Sequence, residues 1–375
     1  MSWEWIETSA ELSDVVARYA GAGAVMVDTE FMRRNTFYPQ VALVQLCFDR
    51  ADEEEPTAYL VDPLALDDTT ALTDLFADSA IIKVLHSPSE DLEVFRHWLG
   101  VLPQPLFDTQ RAAALVNVGF GMGYRNLVAE FTGVELPKGE TRSDWLKRPL
   151  TESQCHYAAQ DVTFLRTLWR ELETRTRSAG KYDWVLADGL VAIETSLALE
   201  SRAHERPIKG AWKLPHREQA SLAALSAWRE RTARERDKPR NWILDDKACV
   251  QIASRAPDTV AQLKACVELP PPVLRRHGDE IIDVLNAQRQ ESEADWPPPQ
   301  PAPLSAGQRD RVKQLKGVAR ELADALDVAP EILLSGQDYE LLLREAAGES
   351  VVAPLYWQGW RRDAAIEPLR ARLAS

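Results

Sequence analysis

The stretch from Ala24 to Glu30 constrains the fold more than any other part of the chain. Four apolar residues, Ala24 to Val27, predict a short buried strand, and two carboxylates follow at alternate positions. Because side chains at i and i+2 of an extended chain point to the same face, we expect Asp28 and Glu30 to project together from the strand's end. Two like charges side by side repel, and a divalent cation such as Mg²⁺ or Mn²⁺ would remove that repulsion. The alternative interpretation is that Asp28 begins a turn and Glu30 is solvated.

Length and composition narrow the class of protein without choosing a function. The chain has 375 residues, of which 45% are hydrophobic and 27% charged, as expected for a globular protein of two or three domains. No run approaches the ~18 apolar residues that span a bilayer, and the N-terminus lacks the basic start and apolar core of a signal peptide. The four cysteines form no CxxC pair, which argues against a zinc site and a disulfide framework. We therefore expect a cytoplasmic protein.

The formal charge of −14 argues mildly against a nucleic-acid binder that uses its whole surface, but the charge is unevenly distributed. Residues 201–255 carry 13 Lys/Arg against 7 Asp/Glu, whereas residues 1–60 carry 4 against 11. An acidic part that holds a metal, followed by a basic part, suits a polyanionic substrate. The densest basic run comprises Arg229, Arg231, Arg234, Arg236, Lys238 and Arg240. Phosphate contacts are one interpretation of this run, and a solvated helix face interrupted by Glu230 and Glu235 is the other.

Strand and helix patterns alternate through the N-terminal half. Apolar runs at 41–48 and 58–61 follow the first strand, and the acidic turn between them predicts an antiparallel start to the sheet. A further strand is predicted at 81–85. Helical patterns are found at 69–77, 89–98, 109–117, 124–132 and from Glu152 onward. This order predicts an α/β domain, a mixed sheet with flanking helices, over residues 1–206.

The strand signal ends there, and the rest of the chain is predicted to be all-α. We expect a linker at 207–215, a helical module at 216–293, a proline-rich linker at 294–304 and a second helical module at 305–375. The two modules resemble a degenerate repeat, since the segment from Asn241 to Lys247 is echoed by the segment from Pro330 to Asp338.

Two further acidic positions follow the first pair along the chain. Asp91 falls in the first turn of the helix after strand 81–85, with Ser89 as the expected N-cap; the helix dipole alone is a sufficient reason for an acid there. Thr151 and Gln154 fit a capping box that opens the next long helix, on which Tyr157 and Asp161 share one face. Taken singly, such a tyrosine is usually core and such an aspartate usually solvated.

Taken together, these residues resemble the DEDD exonucleases of the tyrosine subclass, and in particular the ribonuclease D family. The likeness extends over nearly the whole chain. It includes the segments Val27–Phe31, His86–Phe95, Glu140–Leu150 and Tyr157–Val162, and the helical repeats resemble tandem HRDC (helicase and RNase D C-terminal) domains.

The resemblance implies an RNase H-like 3′–5′ exoribonuclease that releases mononucleotides from RNA 3′ ends, with precursors of tRNA as the expected substrate. Asp28, Glu30, Asp91 and Asp161 would hold two divalent ions, Mg²⁺ or Mn²⁺, one activating water and one stabilising the leaving 3′-oxygen. Tyr157 would orient the attacking water. Phe31 and Met32 would pack against the terminal nucleotide, although ordinary packing beside the strand explains them equally well.

His156 has the spacing that is typical of the other DEDD subclass, in which a histidine five residues before the last aspartate replaces the tyrosine. Five residues along a helix place a side chain about 140° from Asp161, whereas four place it about 40° away, so the geometry favours Tyr157. Two other functions remain open at this stage: a DNA-directed 3′–5′ exonuclease, and a catalytically silent RNA-binding protein that has kept the fold.

Overall fold

The computed structural model describes residues 2–137, 139–140, 143–202 and 208–374, and for 199–202 it describes the backbone alone. The chain forms two compact units. The first combines Met1–Met32, Gln40–Ser196 and Leu304–Ser375; the second combines Arg33–Pro39 with Leu197–Pro303. Among the described residues, no helix is both long enough and apolar enough to cross a membrane.

A six-stranded mixed sheet is the centre of the first unit. Its strands lie in the order β1-β4-β3-β2-β5-β6. They are β1 Ser2–Ile6, β2 Ala24–Met32, β3 Gln40–Asp49, β4 Thr57–Val61, β5 Ile82–Leu85 and β6 Leu106–Asp108. The pairs β2–β3 and β3–β4 are antiparallel, and β1–β4, β2–β5 and β5–β6 are parallel. The predicted antiparallel start and mixed sheet are confirmed, while the edge strands β1 and β6 were not predicted.

In the described part of the chain, seven helices accompany this sheet. They are α1 Ser9–Arg18, α2 Thr70–Ala77, α3 Ser89–Trp98, α4 Thr109–Leu115, α5 Tyr124–Thr132, α6 Glu152–Ser178 and α7 Tyr182–Arg202. Helix α6 lies across β2, β3 and β4. It begins with the predicted capping box, in which Thr151 and Gln154 satisfy each other's backbone N–H groups. The expected N-cap of α3 is wrong by one residue, because Ser89 is already helical and Pro88 occupies the cap position.

The C-terminal segment of the first unit is helical and shares the core of the sheet-bearing part. Its helices are α13 Ala306–Leu326, α14 Pro330–Leu333, α15 Gly336–Ala346 and α16 Glu367–Ala374. A short 3₁₀ helix lies at Leu355–Trp357 and a short π-helix at Arg362–Ile366. Leu315 and Leu369 belong to one hydrophobic cluster with Leu115. A buried ion pair joins Arg361 to Asp188 of α7, and these residues are only 4% and 8% exposed.

The second unit is built from α8 His216–Glu235, α9 Arg240–Ile243, α10 Asp246–Arg255, α11 Val260–Cys266 and α12 Pro271–Arg289, with short 3₁₀ turns at Ala211–Lys213 and Glu293–Asp295. Its core is lined by apolar side chains of α8, α10 and α12, including Leu225, Ile252 and Ile281. Phe37, from the loop that joins β2 to β3, lies in the same core at 7% exposure. The domain limits expected from the sequence, including the two linkers, remain predictions; 203–207 lie outside the described residues.

Candidate active site

Three carboxylates from β2 and α6 meet at one point of the first unit. One carboxylate oxygen each from Asp28, Glu30 and Asp161 lies within 4.8 Å of the other two. Asp28 and Glu30 share a face of β2, as the alternation in the sequence predicts, and Asp161 faces them from α6. The structure thus brings together residues that are more than 130 positions apart in the sequence.

Asp91 lies beside this cluster, in the first turn of α3. It is 9% exposed and accepts a hydrogen bond from the Thr29 hydroxyl, which projects from β2 on the face opposite to its two acidic neighbours. The charge of Asp91 contributes to raising the pKa of both Asp28 and Glu30. Thr29 was not singled out from the sequence, because nothing local connects it with a helix that begins 60 residues later.

The electrostatics of the site disfavour four ionised carboxylates in the absence of a cation. Burial is the largest cause that raises the pKa of Asp28 and Glu30, and the neighbouring acids raise it further. Burial also raises the pKa of Asp161 to about 8 and that of Asp91 to about 6. Hard oxygen donors that repel one another at this spacing are the donor set that Mg²⁺ and Mn²⁺ prefer. The residues present therefore fit divalent cations.

Tyr157 lies one helical turn before Asp161, so the two side chains share one face of α6. Burial, followed by the charge of Asp161, raises the pKa of Tyr157. Gly139 lies against the ring, since a Cβ built there would be 1.9 Å from Cε2 of Tyr157. His156, in contrast, is exposed and hydrogen-bonds Gln160 on the outer face of α6. The predicted difference in direction between these two side chains is confirmed.

A second tyrosine adjoins the cluster and was missed in the sequence. The Tyr124 hydroxyl donates to the Gln160 carbonyl at 2.9 Å, next to Asp161 on α6. Burial and then the charges of Asp161 and Asp28 raise the pKa of Tyr124. The His86 ring packs edge-on against Tyr124, with ring centroids 5.6 Å apart. A tyrosine after a glycine-rich loop carries no sequence signal of this kind, because its role depends on a contact with another helix.

Phe31 and Met32, the expected contacts of the terminal nucleotide, lie at the end of β2. The pairing of β2 with β3 shifts between Glu30 and Phe31, so both residues follow an irregularity in the strand. Each is half-buried, and Met32 packs against the main hydrophobic cluster. Their position directly after the acidic pair is compatible with a nucleotide pocket and with ordinary packing.

The basic run of the second unit is largely engaged with protein groups. Arg229 is 8% exposed and donates to the Leu244 carbonyl and to Asp246 at 3.0 and 2.7 Å, which leaves its guanidinium no open face for a phosphate. Arg234 and Arg240 both pair with Glu230. For the rest, Arg231 is exposed, Arg236 lies 3.8 Å from Glu280, and Lys238 donates to the Asn35 carbonyl.

Comparison with known proteins agrees with this geometry. Residues 3–177 match the 3′-5′ exonuclease family model and residues 218–285 match the HRDC domain model. A ribonuclease D of Pseudomonas paraeruginosa is 38% identical over 96% of this chain and 94% of its own length. Ribonuclease D of Escherichia coli is 34% identical over 92% of this chain and 90% of its own.

The same relationship is seen in three dimensions. The crystal structure of Escherichia coli RNase D, described as an exoribonuclease involved in structured RNA processing, matches with a TM-score of 0.89 and 32% identity. The match covers 100% of this chain and 99% of that one. The predicted fold class, an RNase H-like exonuclease domain followed by a helical region, is confirmed. The chain therefore belongs to the ribonuclease D family of nucleases, with an N-terminal 3′–5′ exonuclease domain and an HRDC domain behind it.

Proposed function

We propose that the protein is a metal-dependent 3′–5′ exoribonuclease that releases mononucleotides from RNA 3′ ends and acts in the 3′ maturation of tRNA precursors. The observation that carries the proposal is the convergence of Asp28, Glu30 and Asp161 within 4.8 Å, with Asp91 alongside. Relatives that cover nearly the whole chain are named for ribonuclease activity, which favours RNA as the substrate.

The four acids would hold two divalent cations. When bound, such ions activate water and stabilise the leaving oxygen of an in-line phosphoryl displacement. The chain's own contribution is to fix the donors before the substrate arrives: β2 orients Asp28 and Glu30, α6 orients Asp161, and the Thr29 hydroxyl holds Asp91. Because the acids' pKa values are raised, cation binding would also release protons at neutral pH.

Tyr157 would orient the attacking water. A phenol whose pKa is raised above its usual value near 10 remains protonated at any working pH, so it acts as a hydrogen-bond partner and not as a base. Asp161, one helical turn further on, would accept its hydrogen, which would fix the direction of the hydroxyl and leave the oxygen lone pairs for water. With this role for Tyr157, the protein would belong to the tyrosine subclass.

Phe31 and Met32 would form the pocket of the 3′-terminal nucleotide. An aromatic ring and a thioether stack on any base, which suits an enzyme that must process different sequences in turn. In the second unit, the exposed Arg231 and Arg236 and the half-buried Lys238 would contribute phosphate contacts. Arg234 and Arg240, both paired with Glu230, would contribute less. Each phosphate contact would steepen the salt dependence of binding.

A second HRDC-like domain over 305–375 is supported by a repeated local geometry. In both helical regions, a four-residue helix ends in an extended leucine, Leu244 or Leu334, and a polar N-cap then opens the next helix. The N-caps are Asp245 and Ser335. This correspondence is stronger than the sequence repeat alone, because it includes backbone conformation.

The proposed substrate is tested by offering the purified protein a 3′-tailed tRNA and a DNA oligonucleotide with the same 3′ sequence, each with Mg²⁺ or Mn²⁺. We expect stepwise release of mononucleotides from the RNA, slower release from the DNA, and loss of both on chelation by EDTA. Faster degradation of the DNA would contradict the assignment of RNA as substrate and favour a DNA-directed exonuclease. Binding of RNA without release at any metal concentration would favour a silent RNA-binding protein.

A further inference from the structure

The loop from Arg33 to Pro39 joins the catalytic strand β2 to β3, yet it belongs to the second unit. It begins directly after Met32 and ends directly before Gln40, and these two residues are paired in the sheet. Any displacement of the loop therefore acts on the last residues of β2. Four residues of the second unit contact it within the stretch of the basic run described above: Arg234, Asp237, Lys238 and Arg240.

Asp237 holds the backbone of this loop. One oxygen of its carboxylate, Oδ1, accepts hydrogen bonds from the N–H groups of Phe37 and Tyr38, at 2.9 and 3.0 Å. Asp237 follows the end of α8 with a φ of +47°, a left-handed conformation that aspartate tolerates better than most residues. A charged acceptor shared by two successive backbone N–H groups fixes both the position and the direction of that part of the loop.

Two arginines contact the side chain of Phe37 in the same loop. The guanidinium carbons of Arg234 and Arg240 lie 5.1 and 4.6 Å from the centroid of the Phe37 ring. Both arginines pair with Glu230, which is 6% exposed, so their positions are fixed from the other side. Lys238 adds a longer bond, 3.4 Å, to the Asn35 carbonyl. The run thus surrounds a buried aromatic ring with cations whose charge is partly neutralised by Glu230.

We propose that this part of the basic run is a receptor for the loop 33–39, and that Asp237 and Phe37 position the terminal-nucleotide pocket at the end of β2. The inference rests on the proposed function, because it takes Phe31 and Met32 as that pocket. Asp237 and Phe37 touch neither the substrate nor the metals; they act through the strand end. A change in the first helical module should then alter the KM even for a short oligonucleotide.

The test compares Asp237→Gly, Asp237→Asn and Asp327→Gly in the full-length protein. Glycine keeps the positive φ and removes the carboxylate, whereas asparagine keeps both the φ and an oxygen acceptor. Asp327 is the matched control, an aspartate with a φ of +49° at the end of α13 whose carboxylate bonds the side chain of Asn117. The substrate is a short single-stranded RNA oligonucleotide, and kcat, KM and backbone amide exchange are measured.

We expect Asp237→Gly to accelerate amide exchange at Phe37, Tyr38, Phe31 and Met32 and to raise KM by about tenfold, since small misplacements at a reacting site carry large penalties. Asp237→Asn and Asp327→Gly should stay close to wild type. A loss of folded protein alone would lower kcat per total protein and leave KM unchanged. If Asp237→Gly proves unstable, Phe37→Leu keeps apolar packing, removes the ring between the two guanidiniums, and should show the same rise in KM.

The proposal is overturned if Asp237→Gly accelerates amide exchange at Phe37 and Tyr38 but leaves the KM, and the amide exchange at Phe31 and Met32, as in the wild type. The amide exchange also separates this proposal from the proposed function. Should the wild-type protein release no nucleotide from any RNA, the proposed function has failed. Exchange at the end of β2 would then decide the positioning role without reference to activity.

Discussion

At the scale of single residues, the site is organised around an electrostatic cost. Asp28, Glu30 and Asp161 are held close together in a half-buried site, so their pKa values rise and the folded protein without metal opposes their ionisation. Only the alternation at Asp28 and Glu30 and the helical spacing of Tyr157 and Asp161 could be predicted locally. That the two pairs face each other depends on how α6 lies across the sheet.

This cost predicts a pH-dependent stability in the absence of metal. The pKa of Asp161 is about 8 in the folded state, against about 3.9 in an unfolded chain, so the folded state binds the extra proton between these values. The free energy of unfolding should therefore fall as the pH rises from about 4 to 8. In EDTA at pH 8, Asp161→Asn should unfold at a higher temperature than wild type, and at pH 4 the difference should vanish.

Added Mn²⁺ or Mg²⁺ should reverse this order of unfolding temperatures. The cation stabilises the wild type by binding its folded state, and it binds the variant more weakly because one carboxylate ligand is missing. An Asp161→Asn variant that is less stable than wild type in EDTA at pH 8 would show that the carboxylate is favourable in the folded protein without metal.

The choice between Tyr157 and His156 is also a matter of single side chains. Tyr157→Phe removes one hydroxyl with little change of volume, and we expect kcat to fall by about 10²-fold, the size of effect that a misplaced reacting group can have. His156→Ala should be nearly silent, since the ring is exposed and bonded only to Gln160 among the contacts described. Single-turnover nucleotide release measures both. A crippling effect of the histidine change beside a mild tyrosine change would reassign the subclass.

At the scale of elements, features that depend on one continuous segment were predicted correctly from the sequence. Features that depend on contact with a distant segment were not. The capping box of α6 and the acid-bearing end of β2 are local, and both are present as expected. The edge strands β1 and β6 were not predicted, because five and three residues carry too little periodicity and their pairing is parallel with distant strands. The sequence likewise did not predict that Arg229 is buried and paired, because its partner Asp246 lies on another helix.

The contact of the loop before α6 with Tyr157 gives a prediction at this scale. Gly139 approaches the ring so closely that a methyl group would lie 1.9 Å from Cε2, and something must move. Gly139→Ala should therefore displace Tyr157 or the loop and lower kcat in the direction of Tyr157→Phe, with thermal unfolding little changed. Gly307→Ala, where a Cβ meets nothing within 4 Å, is the control. Wild-type kcat in Gly139→Ala would show that the loop moves and the ring does not.

At the scale of the whole molecule, the chain leaves the first unit after Ser196 and returns to it at Leu304. The composition indicated the proline-rich stretch where this return occurs, but not that the last 70 or so residues would share a core with the sheet. That association depends on apolar packing, a buried ion pair and an aromatic stack between residues far apart in the sequence. Arg361 pairs with Asp188, and the Trp360 ring stacks on Trp184 with centroids 4.5 Å apart.

Breaking the buried pair should destabilise the first unit as a whole. Arg361→Ala leaves the buried Asp188 without its cationic partner and with the Trp360 indole N–H as a remaining donor. We expect a loss of about 3–5 kcal/mol in the free energy of unfolding, measured by denaturant titration. Arg362→Ala, whose side chain is 61% exposed, should cost less than about 1 kcal/mol. Equal effects of the two variants would show that the ion pair does not hold the C-terminal helices on α7.

We propose that the acid cluster binds divalent cations and that this binding permits RNA hydrolysis. The most direct measurement is calorimetric titration of Mn²⁺ into wild-type protein and Asp28→Asn, with mononucleotide release from a 3′-tailed tRNA followed in the same samples. We predict that wild type binds Mn²⁺ and releases nucleotides, and that Asp28→Asn loses affinity for at least one ion and all measurable release while remaining folded. Near-normal release by Asp28→Asn at saturating Mn²⁺ would contradict the claim.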